Sequence, residues 1–340
     1  MKRAPFSGRR RERGFGLVEL MVALVLGLLV VGAASVMFIG TRQTGRTTDS
    51  LSRMQDSMRV GFDLMIREVR EAGGTPCDSQ VAITDVLSNA QGGAPTWWAV
   101  WSDPVRGYGG TDAFAGATIG GAVGERVSGT DAILVRYAPA LDELMVNSHD
   151  TAAARFTLNV NAHGLLAGDL VMVCNYAQGA IAQVSSANPA DGTFMHDIGG
   201  AAPGNCSKGL GRAEPALCTA TGTTFQFSAG SRVGRFNAVG WYIGNNGRAA
   251  SGGRSLYRVT RSGAEEVADG VRAMQLSYLL STGTAYVAAA AVPAANWGTV
   301  IAVRVDLTYE SSDSNVATNA STPRLTRPVS FTANLRNLQP

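Results

Sequence analysis

Glu19 is the ionisable side chain with most to explain, because the run from Phe15 to Ile39 is otherwise apolar apart from Ser35 and glycines. A carboxylate at the edge of a hydrocarbon layer, or inside it, costs about 2–3 kcal/mol on insertion scales. Its presence implies a cationic partner at some stage. Gly14 and Phe15 mark the border between this run and a basic segment holding Lys2, Arg3, Arg9, Arg10, Arg11 and Arg13. A cut after Gly14 creates a positive amine on Phe15, four residues before Glu19. In a bundle of parallel helices the amine of one chain can meet the carboxylate of its neighbour. Such a pair offsets the desolvation cost and fixes the axial stagger, since an unpaired buried charge is the expensive alternative.

Other chemistry is sparse. The chain has no G-x-S-x-G, P-loop, G-x-G-x-x-G or H-E-x-x-H pattern. His149, His163 and His196 are far apart in sequence, without ligand-like spacing, and read as core-lining or surface residues. Glu310-Ser311-Ser312-Asp313-Ser314-Asn315 offers oxygens to calcium but lacks the glycine and terminal glutamate of a spaced loop. It reads as a solvated loop. No catalytic residue, cofactor or metal is therefore expected. Trp97, Trp98 and Trp101 cluster beside Pro95 and Pro104. They either meet a partner or cap a small satellite core under a long loop, and the second reading is preferred.

Cys77, Cys174, Cys206 and Cys218 all come after the apolar run and form no C-x-x-C pair. In an oxidising compartment they permit two disulfides in three connectivities, with free thiols the alternative. Cys206–Cys218 closes a short loop and is preferred; Cys77–Cys174 then follows by elimination.

Several elements must position these groups. Six of the 29 basic side chains precede residue 15, against one of the 26 acids, so the rest of the chain is slightly acidic despite a net charge of +3. The basicity belongs to a short tail that stays on the cytoplasmic side of a membrane, and it gives no reason to expect nucleic acid. Leu20 to Gly40 is long enough, at about 30 Å as a helix, to match a bilayer core. Its Gly27 and Gly32 permit close helix packing. A secretory signal cut near Gly32-Ala33-Ala34-Ser35 fits less well, because the apolar run is too long and encloses those small residues. Leu51, Met54, Met58, Phe62, Met65, Val69 and Ala72 then recur every three or four residues, opposite Arg53, Asp56, Arg59, Asp63, Arg67 and Arg70. This amphipathic helix, continuous with the membrane segment, should end at Gly73-Gly74-Thr75-Pro76.

Beyond residue 76 the pattern is that of strands. Ile301–Tyr309 and Met274–Leu280 alternate with period two. Shorter candidates are Ala132–Tyr137, Arg155–Val160, Leu170–Tyr176, Thr223–Ser228, Val239–Ile243, Leu256–Thr260 and Val329–Leu335. The Gly-, Ala- and Ser-rich stretches 88–124 and 186–222 read as long loops or insertions. The expected divisions are 1–14, a cleaved leader; 15–40, a membrane and assembly helix; 41–72, an amphipathic helix; and 73–340, a β-rich globular domain.

Arg13-Gly14-Phe15-Gly16-Leu17-Val18-Glu19-Leu20-Met21-Val22-Ala23 resembles the class III signal of type IV prepilins and pseudopilins. Gly16 departs from that pattern, where a hydroxyl residue is commoner, and the helix-kinking proline of many major pilins is missing. The resemblance implies cleavage after Gly14 by a prepilin peptidase, methylation of Phe15, and Glu19 as the assembly glutamate. It implies an α+β, type IV pilin-like fold, with a long N-terminal helix packed on an antiparallel sheet. Looser matches at Arg67–Cys77, Gly168-Asp169-Leu170-Val171, Ala268-Asp269-Gly270-Val271, Val300–Tyr309 and Phe331–Asn337 are similar to minor pilins of the PilW type. The J pseudopilin of type II secretion looks similar in plan but is typically shorter. The resemblance further implies a non-enzymatic subunit, in the bacterial inner membrane and then in a pilus fibre. Its implied partners are membrane lipid, the major pilin, other minor pilins and the inner-membrane assembly platform, in a role priming the fibre near its tip. A tip adhesin using 88–124 or 186–222 is the alternative.

Overall fold

The computed structural model describes Gly14 and residues 16–77, 81–88, 96–101, 103–213, 217–314, 316 and 324–338. The leader 1–13, Phe15, and parts of both expected insertions (89–95, 102 and 214–216) lie outside these residues.

A single helix, α1, runs from Leu17 to Glu71 without interruption, 55 residues or about 80 Å. No proline falls within it, so nothing breaks its hydrogen-bond ladder. It ends where Gly73 takes a left-handed φ of +74° and donates its N–H to the Arg136 carbonyl. A side chain there would meet Leu338, so the turn and its packing both need glycine.

The strands are, in chain order, β1 Ile83–Asp85, β2 Val105–Tyr108, β3 Ala132–Tyr137, β4 Ala140–Asp150, β5 Arg155–Leu158 and β6 Leu170–Cys174. Then come β7 Gly179–Gln183, β8 Ser186–Asn188, β9 Thr193–Met195, β10 Arg232–Arg235, β11 Asn237–Asn245 and β12 Arg254–Thr260. The last are β13 Gly263–Asp269, β14 Val271–Leu280, β15 Val287–Ala288, β16 Val300–Glu310 and β17 Thr326–Asn334.

They form three sheets: β13-β12-β11-β3-β2, β15-β14-β16-β17, and an eight-stranded sheet β1-β7-β6-β10-β4-β5-β9-β8. All pairings are antiparallel except β1 with β7. The first two sheets and α1 form a body whose core joins Met54, Met65 and Val69 of the helix to Val135, Trp241, Met274, Val303 and Val305.

Seven strands of the eight-stranded sheet, β4 to β10, form an inserted unit; β1, which precedes β3 in the chain, joins its edge in parallel with β7. β3 and β11 are hydrogen-bonded neighbours, with Tyr137 opposite Asn237, yet the chain between them builds β4 to β10. This corrects the expected insertion boundaries: the large insertion is 138–236. Within 186–222 lie β8 and β9, and within 88–124 lies β2. The expected strand Thr223–Ser228 is not one. Its backbone is engaged by side chains and loops instead: Phe227 N–H donates to His149 Nδ1, and the Thr223 carbonyl accepts from Gly211 N–H.

Alternation shows how the layers stack. In β3, Ile133 and Val135 point to the helix-side core, while Ala132 and Leu134 face the inserted unit. In β6, Leu170 and Met172 return that contact, while Val171 and Val173 enter a further core with Phe156, Phe194 and Phe227. β3, β6 and β7 are thus buried throughout. The order of layers is helix, body sheet, inserted sheet, outer core. Two covalent links complete the inserted unit: Cys77–Cys174 joins the segment after α1 to β6, and Cys206–Cys218 closes a loop within the unit.

Candidate assembly site on the N-terminal helix

The two halves of α1 meet opposite environments. Every side chain from Gly16 to Arg46 is exposed, including Leu17 at 78% and Met37 at 76%. Apolar surface on all sides of a helix is stable where hydrocarbon or other helices cover it. Among the described residues this is the one helix long and apolar enough to cross a membrane. Its hydroxyls are satisfied internally, Ser35 Oγ donating to the Val31 carbonyl at 2.8 Å and Thr41 Oγ1 to Met37 at 2.9 Å. Arg42 lies over the Phe38 ring, 4.3 Å from its centroid, where the apolar run ends. That is how a cation leaves a hydrocarbon layer while its stem stays within it. Gly27, Gly32 and Gly40 have no atom within 4 Å of where a Cβ would stand, leaving bare backbone for a neighbouring helix.

Glu19 stands in the first turn. Gly16 is the N-cap, in extended backbone, and its N–H donates to Glu19 Oε2 at 3.4 Å. The carboxylate thereby caps the helix and meets the positive end of its dipole. Among the described residues Glu19 has no ion pair, so its negative charge remains open to a cation from outside. Gly14 is exposed, and Phe15 lies outside the described residues.

The second half is anchored firmly. Met65 and Val69 are fully buried, and Phe62 meets Phe331 edge-on at 4.9 Å. At Gly61 a Cβ would lie 2.9 Å from the Tyr309 hydroxyl, so glycine lets the helix touch the sheet. Glu68 is the polar anchor. Its Oε1 accepts from Arg258 Nε at 2.8 Å and its Oε2 from Trp241 Nε1 at 2.8 Å, with Tyr137 Oη at 3.5 Å. Burial, Glu68 and Glu71 hold the Tyr137 hydroxyl well above the usual tyrosine range. Sequence reasoning missed Glu68; the available signal was a lone carboxylate three residues after Met65, at the margin of the apolar stripe. Nearer the membrane half, Ser50 Oγ donates to Asp313 Oδ2 at 2.6 Å.

The remaining sequence candidates fall elsewhere. Trp97, Trp98 and Trp101 are half-buried against the core between body and inserted unit, Trp97 near Phe114 and Trp101 near Phe236. Glu310 is engaged by Arg272 and Arg324, and among the described residues no group of three or more His, Cys, Asp or Glu is placed to hold a metal ion. His149 and His196, separate in sequence, meet with their Nε2 atoms 3.0 Å apart in the outer core, and His163 is buried apart from them.

A family model described as the prokaryotic N-terminal methylation motif matches residues 9–35. Comparison with curated proteins returns no match, and neither does comparison with solved structures. The methylation motif on a long apolar helix, carried by an antiparallel β domain, supports a type IV pilin-like or pseudopilin protein anchored in a membrane. A signal of this class implies processing by a prepilin peptidase, and it suggests a structural protein rather than an enzyme.

Proposed function

We propose that this chain is a minor pilin of the PilW type. It is made as an inner-membrane precursor with a cytoplasmic N-terminus and an exported β domain. The peptidase cuts after Gly14, Phe15 is methylated, and the subunit joins other minor pilins to prime a type IV pilus near its tip. The observation that carries this reading is a helix with one half fixed to the body and the other bare, holding an uncompensated carboxylate one turn from the cut. A neighbour's terminal amine satisfies that carboxylate once lipid is replaced by helices.

Glu19→Ala should leave insertion and cleavage intact while reducing the variant's entry into sheared fibres. Normal entry would count against the pairing. In this reading 15–40 serves membrane and assembly, 41–72 attaches the body, and the β domain makes the contacts outside the membrane.

A second reading has its own observation. The unit at 138–236 sits on the face of the body sheet opposite α1, away from the assembly helix. A tip adhesin would carry its binding surface there. Replacing 138–236 by a two-residue turn between β3 and β11 should then abolish adhesion at unchanged pilus number, whereas loss of pili would favour priming. If the chain is instead a J-like pseudopilin, its deletion should stop secretion and leave pili in place.

A further inference from the structure

We propose that the groove between the last turns of α1 and residues 336–337 is a docking site for an acidic segment of a different protein chain, with Arg67, Arg70 and Arg336 as its cationic wall. The groove holds about 630 Å³ and is bordered by Asp63, Arg67, Arg70, Glu71, Arg336 and Asn337. Arg67 and Arg70 are neighbours at i,i+3 on the helix, and Arg336 reaches the same space from the other end of the chain. All three are exposed, and among the described residues none makes a hydrogen bond or ion pair. This contrasts with Arg53, Arg59, Arg248, Arg258, Arg272 and Arg324, each of which faces a carboxylate.

The groove's own acids leave the arginines available. Asp63 faces Arg59, 3.9 Å away on the preceding turn. Burial and the neighbouring Glu68 push the Glu71 carboxyl upward, against the pull of Arg67, and the groove keeps three arginines against its two acids, Asp63 and Glu71. The wall is also built rather than loose. Asn337 Nδ2 donates to the carbonyls of Glu71 and Ala72 at 3.3 Å each, tying the C-terminal turn to the helix end, and Gly73 lets Leu338 pack against it. The backbones that carry the three arginines are thus fixed relative to one another, and guanidinium groups match carboxylates in bidentate geometry.

Position and charge select the occupant. Arg67 lies 27 residues beyond Gly40, about 40 Å along the helix from the apolar end. With screening over about 8 Å at physiological salt, headgroups of the membrane that holds the helix are out of reach. On this chain Glu265, Glu266 and Glu310 are already engaged by Arg258, Arg248, and Arg272 with Arg324, so these three could supply such a strip only by breaking existing pairs. An extended acidic strip on another subunit fits both the open shape and the charge. The groove does not depend on methylation or cleavage, so this inference can fail while the assembly reading stands.

The test uses the full chain in detergent, with fluorescein-labelled hexaglutamate and hexaglutamine as probes, read by anisotropy at low salt. Hexaglutamate should bind at least about tenfold more tightly than hexaglutamine, and Arg67→Gln/Arg70→Gln/Arg336→Gln should remove at least about tenfold of that affinity. Arg46→Gln/Arg232→Gln, exposed but outside the groove, should bind as the parent does. Circular dichroism checks the fold, and the single variant Arg70→Gln supplies a graded loss should the triple variant fail to fold. Equal loss in the control pair would assign the binding to diffuse charge and overturn the proposal. So would an absent preference for glutamate, or displacement of the peptide by equimolar inorganic phosphate, which would make this a small-anion site.

Discussion

The body is joined to its helix by apolar contact and a few hydrogen bonds centred on Glu68, whereas the inserted unit is held by covalent links and a buried pair of imidazoles. Among the described residues the body core gathers 29 buried apolar residues from helix and both sheets; the outer core gathers 15, all but Val86 from the inserted unit, and no described helix covers it. A small core supplies little surplus stability, and cross-links are the usual supplement. The two regions should therefore fail differently. Reduction and acid should open the inserted unit first, while cavities and lost charges at the helix should open the body.

The largest effect is expected from Cys77→Ser/Cys174→Ser. This bond spans 97 residues, and loop-closure entropy puts its contribution at about 4–5 kcal/mol. Denaturant unfolding of the non-reduced protein should show the inserted unit melting apart from the body. Unchanged cooperativity would mean that the layer between them already suffices. Cys206→Ser/Cys218→Ser, closing only 12 residues, should cost about 3 kcal/mol and be confined to the inserted unit.

Glu68→Ala should cost about 3–4 kcal/mol, because it strands Arg258 and the Trp241 N–H in a half-buried site. Hydrogen exchange should rise in α1 and β11 and stay unchanged in β5 and β9. Gly61→Ala should cost about 1–3 kcal/mol by pressing a methyl onto Tyr309 and Leu256. A neutral result would mean that the helix shifts freely on the sheet.

The remaining effects are dependent on pH and opposite in sign. His149 Nδ1 accepts from Phe227 N–H, so in the neutral ring its Nε2 carries the proton and donates to His196 Nε2. His196 Nδ1–H is then buried without a partner. Protonating either ring breaks one of these bonds. Burial, aided at His196 by its neighbour, depresses the pair from 6.5 to about 4 and about 3. The stability this pair contributes is present above pH 6.5 and lost as the pH falls toward those values. Asp85 behaves in reverse. Burial raises its carboxyl to about 6, against hydrogen bonds from the Leu87 and Trp101 N–H groups. Its contribution is complete below about pH 3.8 and lost as the pH rises through 6. Hydrogen exchange should therefore show β4 and Phe227 loosening in acid, and His196→Leu should flatten that slope.

Legibility in the sequence tracked how each element is buried. Ile301–Tyr309 was readable because β16 buries one face and leaves Arg304 on the other, so its period survives. β7, Gly-Ala-Ile-Ala-Gln, is buried on both faces and too small-sided to announce itself. The inserted unit was invisible as a unit, since the pairing of Tyr137 with Asn237 is a contact between distant residues that no local pattern encodes. The same holds for the meeting of His149 and His196 and for the anchor at Glu68. The N-terminal segment needed no fold to be read. Basic leader, glycine, phenylalanine and a glutamate in an apolar run make their chemistry through adjacency alone.

Assembly, as proposed, rests on Phe15 becoming a methylated terminus that faces a neighbour's Glu19. Intact-mass measurement on the chain purified from membranes, in cells with and without the prepilin peptidase, tests this most directly. The predicted result is loss of residues 1–14 and gain of one methyl group, both dependent on the peptidase. A full-length chain beginning at Met1 in cells with active peptidase would contradict it.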